Sequence, residues 1–260
     1  KDPVDKTSVV KWSTDTDLVT GVTTYTPEEA SYEVVKTPVL AGYTADKADN
    51  SVAGLDGTTT MPTDTTVTVT YVADTDTTAT VSFYDDTDKV AVDGDDVTLT
   101  GTTDTVPTTG NGFDIPAGYA LADEQPDGTK FTSADGVITY TSTLTADSSD
   151  NITVHLVHKH STELPDGFDG TTTLTTTYTG AGSKDPVDKT SVVKWSTDTD
   201  LATGATVYTP NNQYAVVNTP GISGFTANHS DNSDATAVSK TTTEATDVSF
   251  EIKYTRTDNI

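Results

Sequence analysis

The side chains with the most chemistry to offer lie in one acidic stretch. Asp85, Asp86 and Asp88 are followed closely by Asp93, Asp95 and Asp96. Carboxylate oxygens converging on one turn are the ligands of a hard cation, so Asp85, Asp86 and Asp88 form a candidate calcium site. The glycine and distal glutamate of an EF-hand loop are missing from their spacings, and the competing reading is a solvated acidic turn. His155, His158 and His160 invite zinc. On a strand, however, His158 and His160 share a face and His155 takes the other, with no further ligand in view, so strand-face and linker histidines are the default. Trp12 and Trp195 have the flat apolar faces that stack on sugars, yet each shares a strand face with a valine, Val10 or Val193, which favours burial. The run Gly180-Ala181-Gly182-Ser183-Lys184 lacks phosphate-loop spacing. Among so many acids any carboxylate pair can be imagined, and no nucleophile–base pattern stands out. The expectation is no catalytic residue and no enzyme.

The elements that would position these groups are short strands. Residues 8–13, SVVKWS, alternate in strand fashion, and Asp15-Thr16-Asp17 with Thr20-Gly21 predict a turn. Thr26-Pro27-Glu28-Glu29 has the composition of a helix start, although Thr209-Pro210-Asn211-Asn212 in a matching position does not. Strands are predicted at 67–72 and at 248–254, where Val248, Phe250, Ile252 and Tyr254 face one way. Ala79, Val81 and Phe83 open another strand, which runs into the acidic turn. The chain resumes at Val97 and Leu99, and 106–115 suits a short helix or an irregular crossing. Ile152, Val154 and Leu156 alternate in a closing strand. In Thr171–Thr179, TTTLTTTYT, Leu174, Thr176 and Tyr178 share a face.

A long repeat groups these elements. Residues 1–21, KDPVDKTSVVKWSTDTDLVTG, return from position 184 as KDPVDKTSVVKWSTDTDLATG, an offset of 183 residues with only Val19 changed, to Ala202. The match continues through Tyr25 and Tyr208, Pro38 and Pro220, Gly42 and Gly224, and Tyr71 and Tyr254. The organisation predicted is a companion β module at 1–75, a different β module at 76–160, and a second companion module at 161–260. The strand TTTLTTTYT precedes the second copy and has no counterpart before the first. The first copy is therefore expected to lack its opening strand and to leave a sheet edge unpaired or filled by a neighbour.

Composition narrows the function classes. With 14 Lys plus Arg against 40 Asp plus Glu, the formal charge is −26. That excludes electrostatic binding of nucleic acid or an anionic membrane surface. Cysteine is absent, so there are no disulfides, thiolate metal sites or thioesters. No run is long enough to span a membrane, and the sequence reads as a piece of a longer chain whose signal and wall anchor lie elsewhere.

The phrases ATVSFYDDTDK at 79–89, IPAGYALADEQ at 115–125 and ITVHLVHKH at 152–160 resemble the mucin-binding module of lactic-acid-bacterial surface adhesins. WSTDTDLATG, TP and GFTA in the companion module resemble the other half of the same tandem repeats. The resemblance covers essentially the whole chain. It implies a mainly β protein with little helix, built of small β-grasp, ubiquitin-like domains in a tandem, elongated array. It also implies an extracellular place on a Gram-positive cell surface and attachment to host mucin glycoproteins. Immunoglobulin binding and a passive spacer role are the alternatives. No ligand-contact motif carries over residue by residue. Apart from calcium, no cofactor is expected.

Overall fold

The computed structural model describes residues 2–147 and 149–257. The protein is mainly β. Among the described residues there is no α-helix, only two 3-10 turns at Gly182–Lys184 and Ser233–Ala235, so neither unit has the helix that a β-grasp sheet would carry.

The chain forms two compact units. The first comprises Lys1–Tyr84, Ala91–Asp114 and Glu124–Val154; the second comprises Asp85–Val90, Ile115–Asp123 and His155–Ile260. In chain order the strands are β1 Trp12–Thr16, β2 Thr23–Pro27, β3 Tyr43–Ala45, β4 Tyr71–Ala73, β5 Thr77–Asp85 and β6 Val90–Ala91. Next come β7 Val97–Gly101, β8 Gly112–Asp114, β9 Tyr119–Leu121, β10 Phe131–Ala134, β11 Val137–Tyr140 and β12 Ile152–His158. The last six are β13 His160–Ser161, β14 Thr171–Thr179, β15 Lys189–Asp200, β16 Thr206–Pro210, β17 Phe225–Ala227 and β18 Val248–Arg256.

The five-stranded sheet has the order β6-β5-β12-β9, with β7 also on β5. Period-two alternation builds it. Along β5, Thr77, Ala79, Val81, Phe83 and Asp85 are all buried, and along β12 Ile152, Val154 and Leu156 are. Leu99, Ile138 and Tyr140 are also buried. The segment 106–115 contains no helix; it crosses irregularly and ends in β8.

The six-stranded sheet of the second unit is centred on β14. This strand pairs antiparallel with β15 and parallel with β18, and all its even-numbered residues from Thr172 to Tyr178 are buried. Phe168, Leu174, Val193, Trp195, Tyr208 and Tyr214 form one core cluster; Tyr178, Ile252 and Tyr254 form a second.

The first copy of the repeat folds differently. No residue is buried among the described positions 2–76. The predicted strand at 8–13 starts only at Trp12, and the one at 67–72 is reduced to β4. No helix follows Thr26. Pro27 instead ends β2 opposite Trp12, and the Glu29 carboxylate accepts the Lys11 N–H at 3.3 Å. In the second copy Asn212 accepts the Lys194 N–H in the same way at 2.9 Å. That position requires an acceptor, which both Glu and Asn supply.

Candidate functional site

Alternation along β5 and β12 carries two ionisable groups inward. Asp85 has the parity of Val81 and Phe83; His158 has the parity of Val154 and Leu156. Their side chains are 2% and 3% exposed. The His158 Nε2–H donates to Asp85 Oδ2 at 2.7 Å and its Nδ1–H to Asp200 Oδ2 at 2.7 Å. A ring that donates from both nitrogens is an imidazolium. Burial opposes that charge, but the hydrogen bonds to Asp85 and Asp200 outweigh it and hold the His158 pKa above its ordinary value. Burial likewise raises the two carboxyl groups, and the bonds to His158 together with nearby backbone N–H donors outweigh it. Asp85 is lowered, and Asp200 is lowered to about 2.

Each carboxylate is fixed by its own turn. Asp85 Oδ1 accepts the N–H groups of Thr87 at 2.7 Å and Asp88 at 3.3 Å. Asp200 Oδ1 accepts those of Ala202 at 2.9 Å and Thr203 at 3.3 Å. The Asp200 turn is written in local sequence, because Asp17 makes the same pair of bonds to Val19 and Thr20. At Asp200 the other carboxylate oxygen meets His158.

The 200–202 turn also meets Gly118 closely. A β-carbon on Gly118 would lie 2.4 Å from the Leu201 carbonyl oxygen and 2.7 Å from the Ala202 Cα, and the Leu201 N–H donates to the Lys159 carbonyl at 2.8 Å. Ala202 sits where space is tight, whereas Val19 is 95% exposed.

The predicted calcium set is dispersed. Asp85 is engaged as described, while Asp86 Oδ1 lies 3.1 Å from His155 Nδ1 and 3.8 Å from Lys89 Nζ. Asp88 is exposed, with Oδ2 3.8 Å from His158 Nε2. Asp85, Asp88 and His158 offer ligand atoms within 4.8 Å of one another, with the His158 imidazolium standing between two carboxylates. Of the three histidines considered for zinc, only His158 is drawn into this cluster; His160 pairs with Asp198 at 3.0 Å near the surface. The buried histidine was readable from β12 parity, but Asp200 as its partner was not.

Both nitrogens of His158 hold protons and face carboxylates, so the ring has no lone pair with which to act as a base. The arrangement is an ionic clamp joining the end of β5, the end of β12 and the turn after β15.

The aromatic candidates divide. Trp195 is 7% exposed, and its indole N–H donates to Thr172 Oγ1 at 2.8 Å. Trp12 is half-buried. Cationic side chains converge on the second unit at a hollow lined by Ser183, Lys184, Ser223, Gly224, Phe225 and Arg256. The Lys184 ammonium lies 6.0 Å from the Phe225 ring centre. Arg256 is the chain's only arginine.

Residues 1–75 match the family model of the Muc B2-like domain. Among solved structures, the chain is similar to the type 2 repeat of the mucus binding protein MUB from Lactobacillus reuteri, at 19% identity, covering 70% of this chain and 100% of that one with a TM-score of 0.33. It is also similar to Mub-RV at 20% identity, with the same coverages and a TM-score of 0.32. No curated protein matches. No helix among the described residues is long and apolar enough to cross a membrane.

Proposed function

We propose, from the match of residues 1–75 to the model of the Muc B2-like domain, that this chain is a repeat segment of a bacterial surface adhesin that binds host mucus glycoproteins through their glycans. The observation that carries the reading is that this domain's opening block returns almost verbatim from Lys184, the pattern of a surface built by duplicating one module. We read three modules, 1–75, 76–160 and 161–260, displayed outside the cell. The site chemistry fits a binder: the Asp85–His158–Asp200 cluster is saturated and serves structure.

The mechanism must overcome charge. Sialylated and sulfated mucin glycans are anionic, and so is this protein. We assign the contact to the hollow of Lys184, Phe225 and Arg256. There a guanidinium forks onto a carboxylate or sulfate while the aromatic face takes the apolar side of a sugar ring. Surrounding carboxylates repel the same glycan over about 8 to 10 Å at physiological salt. Binding therefore strengthens as the pH falls toward about 4 to 5, where Asp and Glu begin to neutralise.

The test is adsorption of the chain to immobilised mucin before and after enzymatic deglycosylation, at pH 7 and pH 4.5, beside an immunoglobulin surface. Glycan-dependent binding that rises at low pH and drops severalfold in Lys184→Ala/Arg256→Ala supports the proposal. Binding to immunoglobulin alone would replace it with a protein-binding function, and silence on every surface would leave a spacer.

A further inference from the structure

Trp195 and Tyr214 belong to a core cluster of the second unit, and both also line a cavity of about 250 Å³ that opens to solvent. Their polar ends are turned away from it. The indole N–H and the Tyr214 hydroxyl both donate to Thr172 Oγ1, at 2.8 and 2.6 Å, and Thr172 is buried. What the two rings present to the cavity is carbon. Val238 and Ala245, each partly buried against the same cluster, continue this apolar floor. The exposed part of the lining carries the hydroxyls of Thr243 and Thr246 and a single charged side chain, Glu244.

The loop that bears this rim is fixed by its own bonds. Val238 exchanges two with the Gln213 side chain, its N–H donating to Oε1 at 2.7 Å and its carbonyl accepting from Nε2 at 2.9 Å. Thr241 and Tyr208 exchange backbone bonds of 2.8 and 3.0 Å, and Thr241 Oγ1 accepts the Thr243 N–H at 3.0 Å. At the far end Asp247 Oδ1 accepts the Thr173 N–H at 2.7 Å, which pins the loop to β14. A rim held in this way loses little entropy when it binds a ligand.

The lining selects the ligand. A volume below about 300 Å³ is smaller than a drug-sized pocket and suits one sugar ring. A carboxylate as the sole charge repels sialylated or sulfated sugars, and alone and exposed it holds a cation only weakly. A floor of carbon favours a methyl group, whereas the hydroxyl of a plain hexose placed there would go unpaired. We propose that the cavity binds an uncharged N-acetylated hexosamine, with the acetyl methyl on the floor of Trp195, Tyr214, Val238 and Ala245. The amide N–H and the ring hydroxyls face Glu244, Thr243 and Thr246, since a carboxylate only accepts and takes the donors that an acetamido sugar offers. The inference rests on the glycan-binding reading and adds to it a neutral-sugar contact apart from the hollow of Lys184 and Arg256.

The probe is the methyl glycoside of N-acetylglucosamine, titrated into the full chain and followed by saturation-transfer NMR and by Trp195 fluorescence in a Trp12→Phe background. The acetyl methyl should receive the strongest saturation from aromatic protons. Plain methyl glucoside should bind about tenfold more weakly. Glu244→Ala and Thr246→Phe, at exposed positions, should weaken the acetylated sugar to a similar degree, and Lys184→Ala/Arg256→Ala should leave its titration unchanged. No binding at millimolar sugar, equal binding of the glucoside, or binding that ignores both rim variants would overturn the proposal. So would binding abolished by Lys184→Ala/Arg256→Ala, because it would place the sugar in the other hollow. Mucin adsorption that persists beside a flat sugar titration removes this site alone, whereas sugar binding with silence on mucin keeps the site and removes the adhesin reading.

Discussion

Replacing His158 with glutamine tests the ionic clamp most directly. The substitution keeps a polar side chain but removes the cation between Asp85 and Asp200. Two charge-assisted hydrogen bonds of 2.7 Å are lost, and a carboxylate whose side chain is 2% exposed is left without its counter-charge. Breaking a buried pair from one side costs about 3 to 5 kcal/mol. Asp200 is 20% exposed, and Asp85 keeps two backbone donors, so we place the loss near the lower end, at about 3 kcal/mol. In a unit of about 120 residues that is about twelve degrees in Tm.

The pH dependence has a definite sign. The folded pKa of His158 is raised above 6.5, so its contribution is fully present below pH 6.5 and is lost as pH rises through the folded value. Asp85 and Asp200 are lowered from 3.8; their contribution is present above pH 3.8 and is lost as pH falls through the folded values, about 2 for Asp200. Stability from the clamp is therefore greatest between about pH 4 and 6.5. Thermal unfolding followed by Trp195 fluorescence in a Trp12→Phe background isolates the second unit. The wild type should lose stability as pH rises above 6.5, and His158→Gln should begin lower and lack that slope. A variant within about half a kcal/mol of wild type at pH 6, with an unchanged pH profile, would refute the reasoning.

Three further outcomes follow from the geometry. Gly118→Ala should destabilise the second unit by about 2 to 4 kcal/mol, because φ is +85° and the new carbon meets backbone; Gly224→Ala, at φ +84° with open space around it, should cost about 1 kcal/mol. Urea titration compares the pair. Trp195→Ala should cost about 3 to 5 kcal/mol and Trp12→Ala under about 1, by the same measurement, since only the former empties a core. Calcium or a chelator should leave the melting curve of the second unit unchanged, because Asp85 is already satisfied by His158 and two N–H groups; a rise in Tm with calcium would restore the metal site at Asp85, Asp86 and Asp88.

Local sequence decided whatever depends on neighbours along the chain. Period-two alternation placed Ala79, Val81 and Phe83, and Leu174, Thr176 and Tyr178, on buried faces. The same parity points Asp85 and His158 inward, although composition alone suits a solvated turn and a strand-face or linker histidine. The Asp17 and Asp200 turns are identical because a short side chain closes them on its own backbone. Tertiary structure decided what depends on partners far away. Residues 189–194 are strand while the same residues at 6–11 are not, and Trp195 is buried while Trp12 is not, although the two blocks differ only at Val19 and Ala202. A strand's backbone groups must pair with another strand, and its apolar face must be covered by one. Beside the second copy β14 supplies both, and a histidine from a distant strand meets Asp200.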